Sequence, residues 1–142
     1  MNVNQEIDRL REWYGEAGPS SAQWERVVSR PADKPITLIN FFKFHSTARY
    51  ENAEGDGVSG GEAFRRYSRV SMPAMQAAGG KFLHVGPFAG SFMGQDEDWD
   101  LVAIGSYPNL ESFLALYKNS DYRAAFAHRT AACEREKVVI CE

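Results

Sequence analysis

Few side chains in this sequence could do chemistry near neutral pH. The histidines are His45, His84 and His128. The last two fall inside predicted elements, where each is a candidate general base, and His45 opens a long polar loop. No two histidines stand four residues apart and no Cys-x-x-Cys occurs, so no metal site is expected. Arg129 shares a helical stripe with Tyr122 and Phe126. A guanidinium on a core-facing stripe wants a carboxylate, supplied by the chain or by a ligand anion. Asn40 interrupts an apolar strand; its amide must bond a neighbouring strand or a ligand carbonyl. Tyr67 and Tyr122 face the core from two helices, either as packed rings with hydroxyls at the edge or as polar points of a cleft.

Three further patterns fail on context. Gly55-Asp56-Gly57-Val58-Ser59-Gly60 spells GxGxxG, but residues 45–54 separate it from the preceding strand and Gly80 stands where the partner acid belongs. Dinucleotide binding is therefore not expected. The amides of Gly60 and Gly61 at a helix start could still hold an anion, beside the plainer reading of a capped loop. Asp96, Glu97, Asp98 and Asp100 lack the glycine and spacing of a calcium loop and read as a solvated turn. No GxSxG elbow is present. The expectation is a protein without a cofactor.

The elements that must position these residues follow from periodicity. Ile7, Leu10 and Tyr14 recur at helical spacing up to Gly15; Ser20 with Gln23 forms a capping box before Trp24, Val27 and Val28. Residues 1–34 thus read as a helical extension. Pro35 to Phe44 is a strand apolar on both faces, with Ile36, Leu38, Phe42 and Phe44 on one side and Ile39 and Phe41 on the other. The loop from His45 to Ser59 is long enough to be functional or mobile, and to serve as a lid. Ser59 caps a helix that passes Pro73, a residue expected to kink it, and stops at Gly79-Gly80. Lys81–Val85 and Ala89–Met93 read as a second, broken strand, and Trp99–Tyr107 as a third. Asn109 caps a helix that breaks at Asn119-Ser120 and resumes through Arg129 and Cys133, and Lys137–Cys141 is the last strand.

The order is βαββαβ over residues 35–142: an α+β, ferredoxin-like domain with both helices on one face of an antiparallel sheet. Strands apolar on both faces need a second cover. Either the N-terminal helices supply it or a second copy does, and a face-to-face homodimer is the favoured solution. The length of 142 residues suits one domain. The chain has nine Phe, six Tyr and three Trp, enough for a packed core with a flat apolar pocket. A net charge of −3 with mixed signs argues against nucleic-acid binding, and no apolar run could span a membrane. The charged start, Met1 to Trp13, is unlike a secretory signal, so Cys133 and Cys141 read as reduced thiols of a cytoplasmic protein.

Three stretches carry a family resemblance: GGEAFRRYSRV, AAGGKFLHVG and WDLVAIGSYPNLESFLALYKNSDYRAAFAHRTAA. Gly79-Gly80, Trp99-Asp100, Tyr107-Pro108, Ser120-x-Tyr122 and His128-Arg129 are their most specific pieces. Over about residues 35 to 141 the chain resembles a domain-of-unknown-function family of the dimeric α/β-barrel superfamily. That resemblance implies the fold and the dimer but no substrate. The wider superfamily resembles cofactor-free monooxygenases, isomerases and lactone- or muconate-processing enzymes. Many members carry a Glu before the glycine that precedes the third strand; Met93 stands there, before Gly94, and leaves that acid/base role without its residue.

The leading expectation is a cleft between sheet and helices that binds a small molecule. Phe42, Tyr67 and Trp99 would line it, with Asn40, His84, His128 and Arg129 as polar points. A cofactor-independent enzyme would pair His128 with Arg129 or His84 with Asn40. A third reading is a dimerisation module whose cleft is filled and whose Arg129 is paired internally.

Overall fold

Strand β1 (Ile36–Phe44) is the organising element of the computed structural model, which describes residues 3–15, 17–51 and 57–142. Its alternation sends Ile36, Leu38 and Phe42 into the core, where all are buried. It pairs antiparallel with β3 (Leu101–Tyr107) on one side and β4 (Cys133–Cys141) on the other, and β2 (Lys81–Pro87) completes the order β2-β3-β1-β4. With α3 (Gly60–Ala77) between β1 and β2, and α4 (Leu110–Lys118) and α5 (Ser120–Ala132) between β3 and β4, this is the ferredoxin-like βαββαβ topology.

The helix starts are set by caps. Ser20 and Gln23 exchange reciprocal bonds at the head of α2 (Ser21–Val28). Ser59 accepts from the Glu62 amide, Asn109 from Ser112, and Asn119 from both Asp121 and Tyr122. Each bond satisfies an amide that has no partner inside its helix. The first helix, α1 (Val3–Tyr14), ends at Gly15 with φ +79°. Helix α3 is continuous through Pro73. The break at Asn119 turns the chain between α4 and α5, so one crossover is built from two helices.

Strand boundaries differ from the sequence reading: β3 starts at Leu101 rather than Trp99, and two larger differences lie in β2 and β4. Ala89–Met93 forms no strand: Lys81–Pro87 alone pairs with β3, with a bulge between Phe82 and His84. Phe88 N still donates to Asp100 O at 3.1 Å, and the paired register ends at Pro87 and Leu101. At the other end, β4 begins at Cys133, directly after α5, because Phe44, Lys43 and Phe42 of β1 pair with Cys133, Arg135 and Glu136. The acidic turn is also more than a solvated one. Asp98 pairs with Lys43 at 3.1 Å and Glu97 with Lys137 at 2.9 Å, and Asp100 accepts the Phe44 amide at 2.7 Å.

The N-terminal helices lie on the helix side of the sheet. Trp13 packs edge-on against Phe126 and Tyr117, and Trp24 against Tyr117. They extend the helical layer rather than cover the other face. That face carries the cross-strand row His84–Ile104–Ile39–Val139, with Phe41 and Val102 in the next row.

Candidate functional site

A cavity of about 320 Å³ lies between the inner sheet face and the helices. Its floor is Leu38, Asn40 and Phe42 of β1 with Ala103 of β3; Phe64 and Tyr67 of α3 form its roof, and Arg129 of α5 its end wall. The sheet residues alternate into it because period-2 spacing puts every second side chain on one face. Asn40 spends an amide hydrogen on the Ala103 carbonyl at 3.0 Å and is half-buried at the cavity wall. The neighbouring-strand bond expected from its position is therefore present, together with a place in the cavity.

Arg129 is the electrostatic centre, only 7% exposed. Its Nε donates to Glu136 Oε1 at 2.6 Å and its Nη1 to the Tyr67 hydroxyl at 3.1 Å. The Tyr67 and Tyr122 hydroxyls lie 2.9 Å apart. The guanidinium also sits over the rings of Phe42, Phe126 and Tyr67, at 5.0, 5.1 and 5.6 Å. Burial disfavours its charge, but the oxygens of Tyr67 and Glu136 more than offset this and hold the group cationic. The internal carboxylate expected for a buried arginine is thus Glu136. Its side chain is 33% exposed, and it escaped the sequence reading because it lies before the strand expected to start at Lys137.

A second cavity of about 510 Å³ opens behind Arg129, between the N-terminal helices and β4. Tyr14, Trp24 and Val27 form one wall; Glu136, Val138 and Ile140 form the other. Leu38, Asn40, Phe113, Tyr117 and Arg129 line both cavities. Burial pushes the phenols of Tyr117, Tyr122 and Tyr107 upward, and that of Tyr14 up to about 12. These hydroxyls stay protonated at neutral pH and act as hydrogen-bonding groups, not as bases.

The structure therefore gathers Asn40, Phe42, Tyr67 and Arg129 at one place and leaves three other sequence candidates elsewhere. Trp99 is buried on the opposite sheet face, against Phe41 at 5.7 Å and under the Arg135 guanidinium at 4.7 Å. His84 is exposed on that same face, because its partner in the ladder is Ile104. His128 points away from its neighbour Arg129 and meets the Tyr50 hydroxyl through Nδ1 at 2.7 Å. Neither histidine lines either of these two cavities, so the pairs His128–Arg129 and His84–Asn40 are not formed there. Gly55 and Asp56 lie outside the described residues. Gly60, at the end of that motif, has a structural reason: a Cβ there would collide with the His45 and Ala132 carbonyls. Its amide donates to His45 O, which removes it from any anion site. The loop expected to act as a lid lies partly outside the described residues. Its described first half is tied to the α5 end by Arg49 N to Ala131 O at 2.8 Å. Among the described residues no cluster of three His, Cys, Asp or Glu side chains could hold a metal ion, and no helix is long and apolar enough to cross a membrane.

The profile of a domain of unknown function, DUF1330, matches residues 57–142, from the start of α3 through the last strand. The chain belongs to that family. Among solved structures it is similar to the RPA0582 protein of unknown function from Rhodopseudomonas palustris, with 30% identity over 89% of this chain and 95% of that one, TM-score 0.77. The methylated form of RPA0582 gives 29% identity, coverage of 90% and 94%, and TM-score 0.79. A dimeric protein of unknown function with a ferredoxin-like fold from Bacteroides fragilis is a more distant neighbour, at 17% identity, coverage of 76% and 95%, and TM-score 0.41. No curated protein matches the chain. The family match includes α3, α5 and β4, hence Tyr67, Arg129 and Glu136; β1 and the N-terminal helices, with Asn40 and Trp24, lie before it.

Proposed function

We propose that the protein binds a small, largely apolar molecule between sheet and helices, in a cytoplasmic homodimer whose extension of residues 1–34 walls part of the site. The supporting observation is Arg129, a buried cation placed in the wall of both cavities rather than sealed in a filled core. A structural ion pair needs no cavity. Here a guanidinium fork with more donors than its two bonds use borders space lined by Phe42, Phe64 and Tyr67. Apolar walls with few convergent polar groups, and volumes of roughly 300–1,000 Å³, are the usual form of a small-molecule site. The homodimer is supported by the outer sheet face, where Val139 is 37% and Leu83 56% exposed and the N-terminal helices give no cover.

The test is a thermal-shift screen of the full chain against small aromatic acids, ketones, lactones and phosphates. A ligand of the native state raises Tm by mass action, and no assumed chemistry is needed. A hit that is lost in Arg129→Lys, where the bidentate fork is gone, supports the reading. A screen in which nothing shifts the wild type, with the cavity rims also tolerant of bulky substitution, leaves the dimerisation module as the better account.

A further inference from the structure

We infer that the two cavities are the lobes of one elongated site, whose ligand carries a neutral carbonyl acceptor at its middle and an apolar arm on each side. The inference rests on the small-molecule reading above and specifies its ligand. Three observations lead to it.

The first is the shared wall. Arg129, Asn40 and Tyr117 border both cavities, so a ligand group held by Arg129 has one lobe on either side. The lobe toward α3 and β2 is rimmed by Met72, and the lobe toward β4 by Val138; they are 42% and 45% exposed. Each lobe thus has its own mouth. An arm entering either one meets mainly apolar walls, from Phe64 and Leu38 to Val27 and Ile140.

The second is charge balance at the meeting point. Glu136 already neutralises Arg129, at 2.6 Å. A ligand carboxylate on the same guanidinium would meet a second carboxylate close by, and the two like charges repel. A carbonyl oxygen accepts from the spare N–H groups and brings no charge. Arg129 therefore selects a neutral acceptor as long as Glu136 stays in place.

The third is the sign of the unsatisfied groups. Trp24, in the wall of the second lobe, is 2% exposed and its Nε1 has no hydrogen-bond partner among the described residues. A buried N–H without an acceptor costs free energy. Together with the Arg129 fork and the Asn40 amide, it makes the site rich in donors. At Arg129 the complementary ligand group is the oxygen of a ketone, ester, lactone or quinone, not an anion.

The experiment is calorimetric titration of the full chain with three probes: 4-phenyl-2-butanone, its near-isosteric acid 3-phenylpropanoate, and the two-armed 1,5-diphenylpentan-3-one. The short ketone is expected to bind about tenfold more tightly than the acid, and the two-armed ketone about tenfold more tightly again. Glu136→Gln, which removes the competing charge, should strengthen the acid by about tenfold. Met72→Trp and Val138→Trp, at exposed rims where folding tolerates them, should each bring the long ketone down to the short one. An acid that binds the wild type as well as the ketone overturns the neutral-acceptor assignment. A long ketone that gains nothing, or that ignores one rim substitution, overturns the two-lobed site. In both cases some probe still binds and the small-molecule reading stands. Silence from all three probes overturns the two-armed carbonyl ligand, while the small-molecule reading stands or falls with the thermal-shift screen.

Discussion

At the scale of single residues, types that were visible in the sequence acquired their meaning from partners that were not. Arg129 and Tyr67 are legible as core-facing polar groups because 3.6-residue periodicity places them there. Glu136, the carboxylate that answers Arg129, is invisible to that reasoning, since it sits across a helix-to-strand junction. His128 shows the reverse case. Its position beside Arg129 suggests a shared site, yet consecutive helical residues do not share a face, and His128 turns instead to Tyr50. Burial first, and the Arg66 charge second, lower its pKa. The unfolded chain protonates near pH ~6.5, so below that pH it binds a proton that the folded state still refuses. The His128 contribution to stability is therefore complete above pH ~6.5 and is lost as pH falls through the lower folded value. Urea midpoints measured from pH 7.5 to 5 should fall for the wild type and fall less for His128→Gln, which keeps an acceptor for Tyr50. Two parallel profiles would assign the pH dependence to other groups.

At the scale of elements, local signals reported the helix starts well and the strand ends poorly. Ser20, Ser59 and Asn109 cap as their spacing implies, and the break expected at Asn119 is made by Asn119 itself capping α5, because capping is a contest between a side chain and the next few amides. Strand extent is settled by the neighbour instead. Ala89–Met93 pairs with no strand, and Arg135 and Glu136 have poor strand composition but pair with β1 around a bulge at Glu134. Gly60 belongs to this scale too, because it lets α3 start against the backbone of the α5–β4 junction. Gly60→Ala places a methyl group against the His45 and Ala132 carbonyls. Backbone on both sides cannot rotate away, so the chain at that junction has to shift. The expected loss is about 1–3 kcal/mol in urea denaturation, in the range of overpacked sites. A change of only a few tenths would show that the junction yields freely. By contrast, Gly61→Ala should be well tolerated, since a Cβ there meets only the Ser59 hydroxyl at 3.9 Å.

At the scale of the whole molecule, the open question was what covers the second face of the sheet. The sequence allowed two answers, the N-terminal helices or a second copy, because amphipathic helices do not announce which surface they will join. Aromatic packing decided where the helices go: Trp13 packs edge-on against Tyr117 and Phe126 of the helical layer, and Trp24 against Tyr117. Ile39, Val102 and Ile104 are left half-buried on a face whose flanks carry charged residues, Lys137 beside Phe41 and Arg135 over Trp99. An apolar centre with a charged margin is the pattern of an interface core and rim. A two-fold dimer would bring the row Ile104–Ile39–Val139 against its own copy. Ile104→Glu puts a charge in that row without touching either cavity, and light scattering should then read a monomer in place of a dimer. Phe92, at 99% exposed on the loop that leads to Trp99, lies outside the paired rows of that face; Phe92→Ser should therefore weaken the dimer less than Ile104→Glu. If the wild type is itself monomeric at micromolar concentration, the outer face has no second copy to bury it and the dimer is refuted. If Ile104→Glu stays dimeric, the two copies meet elsewhere, and the sheet face must find its cover in another partner.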